Sequence, residues 1–329
     1  MLSNSDQNLP EDVVNEILSR LPVKSLLRFK YVYRYWYTLI KSPDFISKHF
    51  NQENNNGRLL VQHYISDIDR YAIALFPDET LADIPPLHEN LGHLQSLKDI
   101  GNVVGPIDDI FLLHIPGYYS NSDRMALWNP AMREFNRLHV LEPIFPLNFH
   151  ALTSVVGFGL DPLTRDYKII WIRYFVERIG DETYDIDYPY HVAVIYTLSK
   201  ESWRHFDLLT IPKDRNIYNS LCATCINKAY YWLSGLDYSE HRILSFHMWL
   251  KEFREKEGPD HPEPQWGFLS LYNDSIGLFL CQTGVILQSI IDIWVMEEEG
   301  CWTKLIIVNP FPEVFLPREF WKEELLFES

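Results

Sequence analysis

The chain has few cysteines, few basic residues for its size, and no long apolar run. Its four cysteines, among 329 residues, lie at positions 222, 225, 281 and 301. No stretch of eighteen apolar residues could span a membrane, and the N-terminus lacks the apolar core of a signal peptide. We therefore expect a soluble, intracellular protein of the cytoplasm, with the nucleus as a second compartment.

The spacing of Cys222 and Cys225 is that of a redox pair or of half a zinc site. However, no second close cysteine pair and no nearby histidine cluster completes a set of four zinc ligands. A β-strand would also point the two side chains to opposite faces. We therefore predict free, buried thiols in a reducing compartment, and no metal site.

Acidic residues outnumber basic residues by 45 to 29, and the excess lies in one part of the chain. Residues 1–50 carry seven Lys/Arg and five Asp/Glu, so residues 51–329 carry 22 and 40, a net charge of −18. The electrostatic field of this negative charge repels the phosphates of nucleic acids and favours basic protein partners. The alternative is that the acidity serves only solubility.

Hydrophobic residues make up 47% of the chain and aromatic residues 15%, which indicates a folded protein. In the first fifty residues, apolar side chains recur at helical spacing in two stripes separated by Pro22. About forty residues are too few to bury these side chains alone. Either a partner protein covers them, or they cap the downstream domain. The stripes are Val13, Val14, Ile17, Leu18 and Leu21, then Leu26, Phe29, Val32, Trp36, Leu39 and Ile40.

Beyond a polar linker at residues 51–57, the sequence predicts β-strands. A strand, a polar turn and a second strand that opens on an aromatic residue recur four times. In each unit, the aromatic residue that opens the second strand comes seven or eight positions after an aromatic residue of the first strand. The predicted strands include Leu59–Val61, Ile110–His114, Tyr167–Trp171 and His191–Tyr196, and the turns are Asn129–Glu134, Thr197–Ser202, His247–Glu252 and Met296–Cys301.

The spacing of these units predicts a propeller of the kelch kind. Tyr196, Phe246 and Trp294 are 50 and 48 residues apart, and a period near fifty with four strands per unit is typical of that fold. In a β-sandwich, the aromatic residue would not need to recur at the same position of each unit. Residues 58–329 hold about five and a half such units, so we expect an incomplete sixth blade at the C-terminal end and an open or loosely closed ring.

No motif in the chain supports catalysis or cofactor binding. Gly157-Phe158-Gly159 lies among predicted strands, without the helix that a dinucleotide site requires. His88 and His93 stand five residues apart in a Pro-flanked loop, which is poor spacing for metal ligands. Asn273-Asp274-Ser275 is a glycosylation sequon, which an intracellular protein does not use. We predict no catalytic, cofactor-binding or metal-binding residues.

One segment, residues 177–190 with the sequence ERIGDETYDIDYPY, combines acidic and aromatic side chains. It joins two predicted strands and has no adjacent histidine or nucleophile. It is either a solvated loop or a face for a basic partner, because tyrosines interleave the charges. The candidate target-facing residues of this loop are Glu177, Asp181, Glu182, Tyr184, Asp185, Asp187, Tyr188 and Tyr190.

The segment LPEDVVNEILSRLPVKSLLRFK at residues 9–30, followed by Trp36 and the S-P-x-F of Ser42–Phe45, resembles the plant F-box. The departures are small, since only Tyr31 and Tyr33 stand where small or sulfur-bearing residues are more usual. The resemblance implies a three-helix module over residues 9–50 that docks on the Skp-type adapter of a cullin-based ubiquitin ligase. The adapter-binding residues that it implies are Leu9, Pro10, Ile17, Leu18, Leu21, Pro22, Leu26 and Trp36.

An ordered series of motifs over residues 100–329 resembles the F-box-associated domain of plant F-box proteins, and within it the S-locus F-box and S-locus-F-box-like group. Residues 58–100 match poorly. The resemblance implies a substrate-recognition subunit whose target is a basic S-ribonuclease in pollen self-incompatibility. The motifs are W-N-P-A-x-R-E-F (128–135), G-F-G-x-D-x-x-T-x-x-Y-K (157–168), Ser-Trp (202–203), I-L-S-F (243–246), I-W-V-M (293–296) and F-W-K (320–322).

The sequence thus predicts an α+β protein, with an N-terminal three-helix F-box at residues 9–50. An all-β kelch-like propeller follows over residues 58–329 and is incomplete at the C-terminus. The expected partners are a Skp-type adapter, through it a cullin, and a protein substrate. No cofactor, nucleic acid or membrane is expected. The rival hypothesis is an enzyme on a β-propeller scaffold with a helical N-terminal cap.

Overall fold

The computed structural model describes the chain in ranges separated by gaps. Compact unit 1 comprises Met1–Asp99 and Trp128–Asn136, and unit 2 comprises Ile100–Leu127 and Arg137–Ser329. The predicted linker, the pairs Cys222/Cys225 and His88/His93, and the asparagine of the sequon lie outside the described residues. The residues that the structure describes are 10–21, 23–42, 44–45, 48–49, 58–65, 70–77, 101–117, 123–130, 132, 134–140, 148–180, 183–206, 216–218, 229–235, 240–260, 265–272, 275–282, 291–297, 300–308, 317–321 and 324–327.

The described residues of the N-terminal region include the helices α1 (Glu11–Ser19), α2 (Val23–Phe29) and α3 (Arg34–Ile40). Helix α1 begins directly after Pro10, whose φ of −54° suits a helix start. Glu11 and Asp12 follow in its first turn, where the helix dipole favours negative charge. None of the helices in the described residues has the length and apolarity needed to cross a membrane.

The helical region has a small apolar core of its own. Leu18, Leu26, Ile40 and Phe45 are buried in it, and five partly buried apolar side chains pack against them. Two of these are Phe29 and Trp36, whose rings meet edge to face with centroids 5.6 Å apart, a favourable aromatic geometry. Both predicted apolar stripes therefore contribute to one core.

The β-strands form six antiparallel sheets in the described residues. Unit 1 contains the two-stranded sheet β1 (Arg58–Ile65) and β2 (Arg70–Pro77). Sheet 1 contains β3 (Asn102–Ile107), β4 (Ile110–Ile115), β5 (Arg124–Asn129) and β6 (Glu134–Leu138). Sheet 2 contains β7 (Phe149–Leu160), β8 (Tyr167–Gly180), β9 (Thr183–Thr197) and β10 (Ser202–Phe206), with a 3-10 turn at Leu198–Lys200. Sheet 3 contains β11 (Asn216–Tyr218), β12 (Ala229–Gly235), β13 (Arg242–His247) and β14 (Glu252–Glu257). Sheet 4 contains β15 (Gln265–Tyr272), β16 (Ser275–Gln282), β17 (Ile291–Met296) and β18 (Trp302–Val308). The last sheet pairs β19 (Pro317–Trp321) with β20 (Glu324–Phe327).

Sheets 1 to 4 are the blades of a four-bladed β-propeller. In each, strands that follow one another in sequence are neighbours in the sheet. Strands near the start of successive sheets contact each other: β3 with β7, β7 with β12, β12 with β15, and β15 with β19. Such four-stranded meanders, meeting through their leading strands, are typical of a propeller. The expected count of five and a half units is wrong for the part of the chain that the structure describes, because β1 with β2 and β19 with β20 form two-stranded sheets and not four-stranded blades.

The predicted hairpins are confirmed as the third and fourth strands of the blades. In sheet 2, Tyr196 pairs with Trp203 and their ring centroids lie 5.0 Å apart. In sheet 3, Phe246 pairs with Phe253 at 4.8 Å. In sheet 4 the turn is one residue longer, so Trp302 pairs with Met296 and not with Trp294. The second strand of this hairpin still begins with an aromatic residue, as predicted.

Gly157 lets sheets 2 and 3 approach closely. A Cβ atom at this position would lie 2.8 Å from the Tyr230 ring and 2.9 Å from Trp232. The Trp232 indole Nε1 donates to the carbonyl of Val156 at 3.2 Å. The motif Gly157-Phe158-Gly159 therefore serves packing between strands, and it is not a phosphate loop.

Candidate functional site

The helices of unit 1 expose a set of large apolar side chains, which we call the apolar helical surface. Its members are Val13, Ile17, Tyr31, Val32, Tyr33 and Tyr37. Val13 and Ile17 lie four residues apart on α1 and so share one face, where Ile17 is 47% exposed. Tyr31, in the turn between α2 and α3, is 80% exposed. Val13 with Ile17, and Tyr31 with the next two residues, thus form two local groups, and grouped exposed apolar side chains indicate an interaction surface more strongly than single ones.

The predicted adapter-binding residues fall into two groups in the structure. Leu18 and Leu26 are both buried with 3% exposure, and Leu21 and Trp36 pack against them partly buried. These four shape the helical core. Pro10 and Ile17 are exposed and free to contact a partner. Leu9 and Pro22 lie outside the described residues.

Polar contacts hold α1 against the segment that follows α3. The Glu16 carboxylate accepts hydrogen bonds from Lys48 Nζ and from Arg20 Nη2, each at 2.5 Å. These two cations lower the pKa of Glu16 below its usual value. His49 Nε2 lies 2.8 Å from the carbonyl oxygen of Leu21. The apolar helical surface is therefore presented on helices that are tied together.

Two strands of sheet 2 extend past their neighbours: β8 runs three residues beyond Glu177, where its pairing with β7 ends, and residues 183–192 of β9 lie beyond the pairing with β10. Strands β8 and β9 contain 14 and 15 residues, whereas β10 contains five and pairs only with residues 193–197 of β9. Strand β8 is buried from Lys168 to Val176 and exposed from Glu177 to Gly180. We call residues 177–180 and 183–190 the tongue. The predicted target-facing loop is thus a strand extension, because the two strands continue to pair up to Gly180 and Thr183.

Six of the eight predicted target-facing residues lie on the tongue. Glu177 on β8 and Tyr190 on β9 are exposed. Along the backbone of β9 lie Tyr184, Asp185, Asp187 and Tyr188. Asp181 and Glu182 lie outside the described residues.

The pairing within the tongue contains a wide irregularity on β9. Phe175 pairs with Tyr190 and Glu177 with Asp185, so one residue of β8 opposes residues 186–189 of β9. Pro189, which has no N–H group to donate, falls in this stretch, where the ladder does not need a donor. Bulges of this kind redirect a strand and are frequent beside binding sites.

Two exposed apolar side chains flank this irregularity. Ile179 on β8 is 64% exposed, and Tyr190 on β9 is 44% exposed. The Tyr190 ring also contacts Phe149 of β7, with centroids 5.7 Å apart. The backbone N–H of Arg178 donates to the carbonyl of Asn148 at 2.8 Å. The base of the tongue is therefore anchored to the start of β7, while its end projects.

A buried polar cluster joins sheets 1 and 2. At its centre is Asp123, which precedes β5. Its Oδ2 accepts hydrogen bonds from His114 Nε2 at 2.9 Å, Ser154 Oγ at 2.6 Å and Trp171 Nε1 at 3.0 Å, and its Oδ1 lies 3.6 Å from Arg173 Nη2. Burial acts to raise the pKa of Asp123, but the His114 and Ser154 hydrogen bonds and the Arg173 charge outweigh it and lower that pKa.

This cluster contains the residue types of a hydrolase triad but not the arrangement. Ser154 Oγ and Asp123 Oδ2 are both within hydrogen-bonding distance of Nε2 of His114, at 3.3 and 2.9 Å. In a catalytic triad, the serine and the aspartate instead contact different nitrogens of the histidine ring. The Nδ1 atom of His114 instead pairs with Asn102 Nδ2 at 3.2 Å. All three triad-type residues are buried. The cluster is therefore a structural link between two blades. Within the described ranges, no group of three His, Cys, Asp or Glu side chains is placed to hold a metal ion.

The sequence pattern alone singles out neither this cluster nor Ile179 of the tongue. One signal was available, because Arg173 interrupts an otherwise apolar run from Ile169 to Val176. A charged residue within a buried strand implies a buried partner of opposite charge. No comparable signal marked Asp123, which stands in a polar stretch.

Comparisons with known proteins match both parts of the chain. The model of the F-box domain family matches residues 7–48, and that of the F-box associated beta propeller domain matches residues 112–319. F-box protein CPR1 of Arabidopsis thaliana is 26% identical over 320 residues, covering 92% of this chain and 73% of that protein. One F-box/kelch-repeat protein of the same plant is 27% identical over 324 residues, covering 95% and 83%. Another is 28% identical over 236 residues, covering 69% and 55%.

Solved structures of low identity match part of the chain with TM-scores below 0.5. An exo-beta-1,3-galactanase from Clostridium thermocellum is 6% identical with a TM-score of 0.41, covering 66% of this chain and 50% of that chain. An ulvan lyase is 8% identical with a TM-score of 0.45, covering 74% and 62%. Scores of this size support no inference about function.

Proposed function

This chain belongs to the F-box proteins that carry an F-box associated beta propeller domain, and we propose that it is the substrate-recognition subunit of a Skp–cullin–F-box ubiquitin ligase. Residues 9–50 bind the Skp-type adapter, and through it a cullin. The β domain of residues 58–329, joined by the linker 51–57, presents a protein target. The chain is not an enzyme but supplies proximity and orientation to chemistry on other subunits. It acts in the cytoplasm and the nucleus.

The observation that carries this proposal is the apolar helical surface. Helices α1, α2 and α3 lie within the residues that match the F-box domain, and in this proposal they are the helices that contact the adapter. Their core is filled by Leu18, Leu26, Ile40 and Phe45, yet Val13, Ile17 and the Tyr31–Tyr33 turn stay exposed. Covering these side chains with a partner removes apolar area from water. The proposed adapter contacts are therefore the exposed residues, while the buried leucines hold the helices that present them.

The test is capture of the full chain by a purified plant Skp-type adapter. Ile17→Asp places a charge on the apolar helical surface without entering the helical core, and we expect at least tenfold weaker binding, because a buried unpaired charge is costly. The matched control is Leu163→Asp, which changes an exposed apolar residue in the turn before β8. Failure of the wild-type chain to bind would refute the proposal. Equal binding by Ile17→Asp and the control would refute it as well.

Within this function, a finer proposal names the target as a basic S-ribonuclease in pollen self-incompatibility. The net charge of −18 over residues 51–329 supports it, because opposite fields accelerate encounter and aid selectivity. The resemblance to the S-locus group supports it too. Direct binding of a purified style ribonuclease to the chain–adapter complex tests it, together with the tissue distribution of the transcript. A transcript that is absent from pollen would exclude this target and leave the ligase function intact.

A further inference from the structure

The tongue of sheet 2 has apolar surface that the blade itself does not bury. Residues 177–180 of β8 are all exposed, so this part of the strand has no buried face. Two-stranded hairpins without a packed face are marginally stable in water. Burial of Ile179 and Tyr190 against another molecule would remove their apolar area from water.

The charge of the tongue segment is one-sided. Residues 177–190 contain five acidic residues and one basic residue, Arg178. The net charge of −4 over fourteen residues is a larger density than that of the rest of the acidic domain. Opposite charge on a partner steers encounter and fixes its register. The chemistry that complements this segment is therefore cationic, with aliphatic groups to meet Ile179 and Tyr190.

The backbone of the tongue excludes one mode of recognition. Strand β10 ends its pairing at Ala193, and within the described ranges no strand pairs with the outer edge of residues 183–192. A free edge can accept an added strand. Here the irregularity at residues 186–189 and Pro189 break the row of donors and acceptors, which are devices that prevent strand addition. Recognition at the tongue therefore relies on side chains.

We propose that the tongue is the target-binding surface of this substrate receptor, and that it binds a segment of the target in which Lys or Arg side chains alternate with aliphatic ones. This inference rests on the proposed function and assigns the place and chemistry of its substrate contact. The irregularity at residues 186–189 lies in the part of the β9 backbone that carries the acidic and aromatic sequence. The anchoring of Tyr190 to Phe149 holds the base of the tongue in place.

The test uses the full chain in complex with its adapter and a fluorescent synthetic peptide that alternates Arg with Leu. Peptides with Glu in place of Arg, or Ser in place of Leu, are the ligand controls. The tongue variant is Glu177→Gln/Asp185→Asn/Asp187→Asn. Its matched control removes three exposed carboxylates elsewhere, Glu201→Gln/Asp260→Asn/Glu297→Gln. A second pair compares Ile179→Ser with Leu163→Ser, both highly exposed apolar positions.

At low salt we expect the Arg/Leu peptide to bind the wild type and the control variant within about twofold of each other. We expect about tenfold weaker binding to the tongue variant, because three carboxylates that would pair with the Arg side chains of the peptide are lost. Ile179→Ser should weaken binding several-fold and Leu163→Ser should not. Equal binding by both triple variants, no binding to the wild type, or equal binding of the Glu/Leu peptide would overturn the proposal.

Adapter capture, measured on the same samples, separates this inference from the proposed function. If the adapter binds the chain but the tongue variant binds the peptide as tightly as the control variant does, only the assignment of the tongue as the target-binding surface is refuted. If the peptide binds the tongue while the adapter does not bind, the proposed ligase function is refuted and the binding surface stands.

Discussion

The indole Nε1 of Trp171 donates a hydrogen bond to Oδ2 of Asp123 at 3.0 Å, across the junction of sheets 2 and 1. Both side chains are buried. A hydrogen bond to a carboxylate in a low-dielectric interior is stronger than one between neutral groups, and it is costly to break. The first two blades are therefore held together by a buried polar link as well as by their apolar core.

Replacing the charge in this link should destabilise the domain. Asp123→Asn keeps the size of the side chain but leaves the nearby Arg173 guanidinium without its carboxylate. We expect a loss of about 3 kcal/mol in the free energy of unfolding, measured by urea denaturation. The exposed Asp260→Asn serves as the control. A loss below about 0.5 kcal/mol, the range of an ordinary surface substitution, would show that the link contributes little.

His191 should make the stability of the domain depend on pH. It is buried on β9 and packs edge to face on Tyr174, with ring centroids 4.6 Å apart, and burial lowers its pKa to about 4 from a usual value near 6.5. Between these values the unfolded chain binds the proton and the folded chain does not. Stability is therefore fully present above pH 6.5 and falls by about 3 kcal/mol as the pH drops to 4.

Unfolding curves at several pH values check this expectation. His191→Leu should remove this part of the pH dependence, whereas His205→Leu, at an exposed position of β10, should retain it. If both variants lose stability in parallel with the wild type between pH 6.5 and 4, then His191 is not the group responsible.

Gly157→Ala should destabilise the packing of sheets 2 and 3. The added methyl group would lie 2.8 Å from the Tyr230 ring, so strands or rings must shift, at a cost of about 1–3 kcal/mol. The matched control is Gly277→Ala on β16, where the nearest atom would be 3.4 Å away. Thermal unfolding of the two variants measures the difference. Equal midpoints would mean that the approach at Gly157 relaxes without cost.

Leu18 and Ile17 should separate stability from adapter binding. Leu18→Ala removes a side chain from the helical core and should cost about 2–5 kcal/mol of stability in the helical region. Ile17→Ala changes an exposed residue and should alter stability by less than about 1 kcal/mol while weakening adapter binding. Circular dichroism on heating and calorimetric titration with the adapter measure the two effects. If Ile17→Ala lowered the stability more than Leu18→Ala did, the result would contradict the burial of Leu18.

The hairpins of the blades could be predicted because their signals are local. Tyr196 and Trp203, or Phe246 and Phe253, are seven residues apart and meet directly across a short turn. Alternation of side chains along a strand and the length of the turn suffice to place them opposite each other. Where the turn gained one residue, before Trp302, the second strand still begins at the aromatic residue, but this residue pairs with Met296 and not with Trp294.

The sequence by itself determined the helical N-terminal region, the paired strands and the acidic tongue segment, because periodicity, turn residues and charge act over a few neighbouring positions. Only the tertiary structure decided which stripe residues are buried, since the adjacent Ile17 and Leu18 differ in exposure through contacts with other helices. It also decided the number of blades, the length of the tongue and the cluster around Asp123. Those depend on contacts between residues far apart in the chain, such as Asp123 with Trp171, and no local pattern records which distant side chains will meet when a core closes.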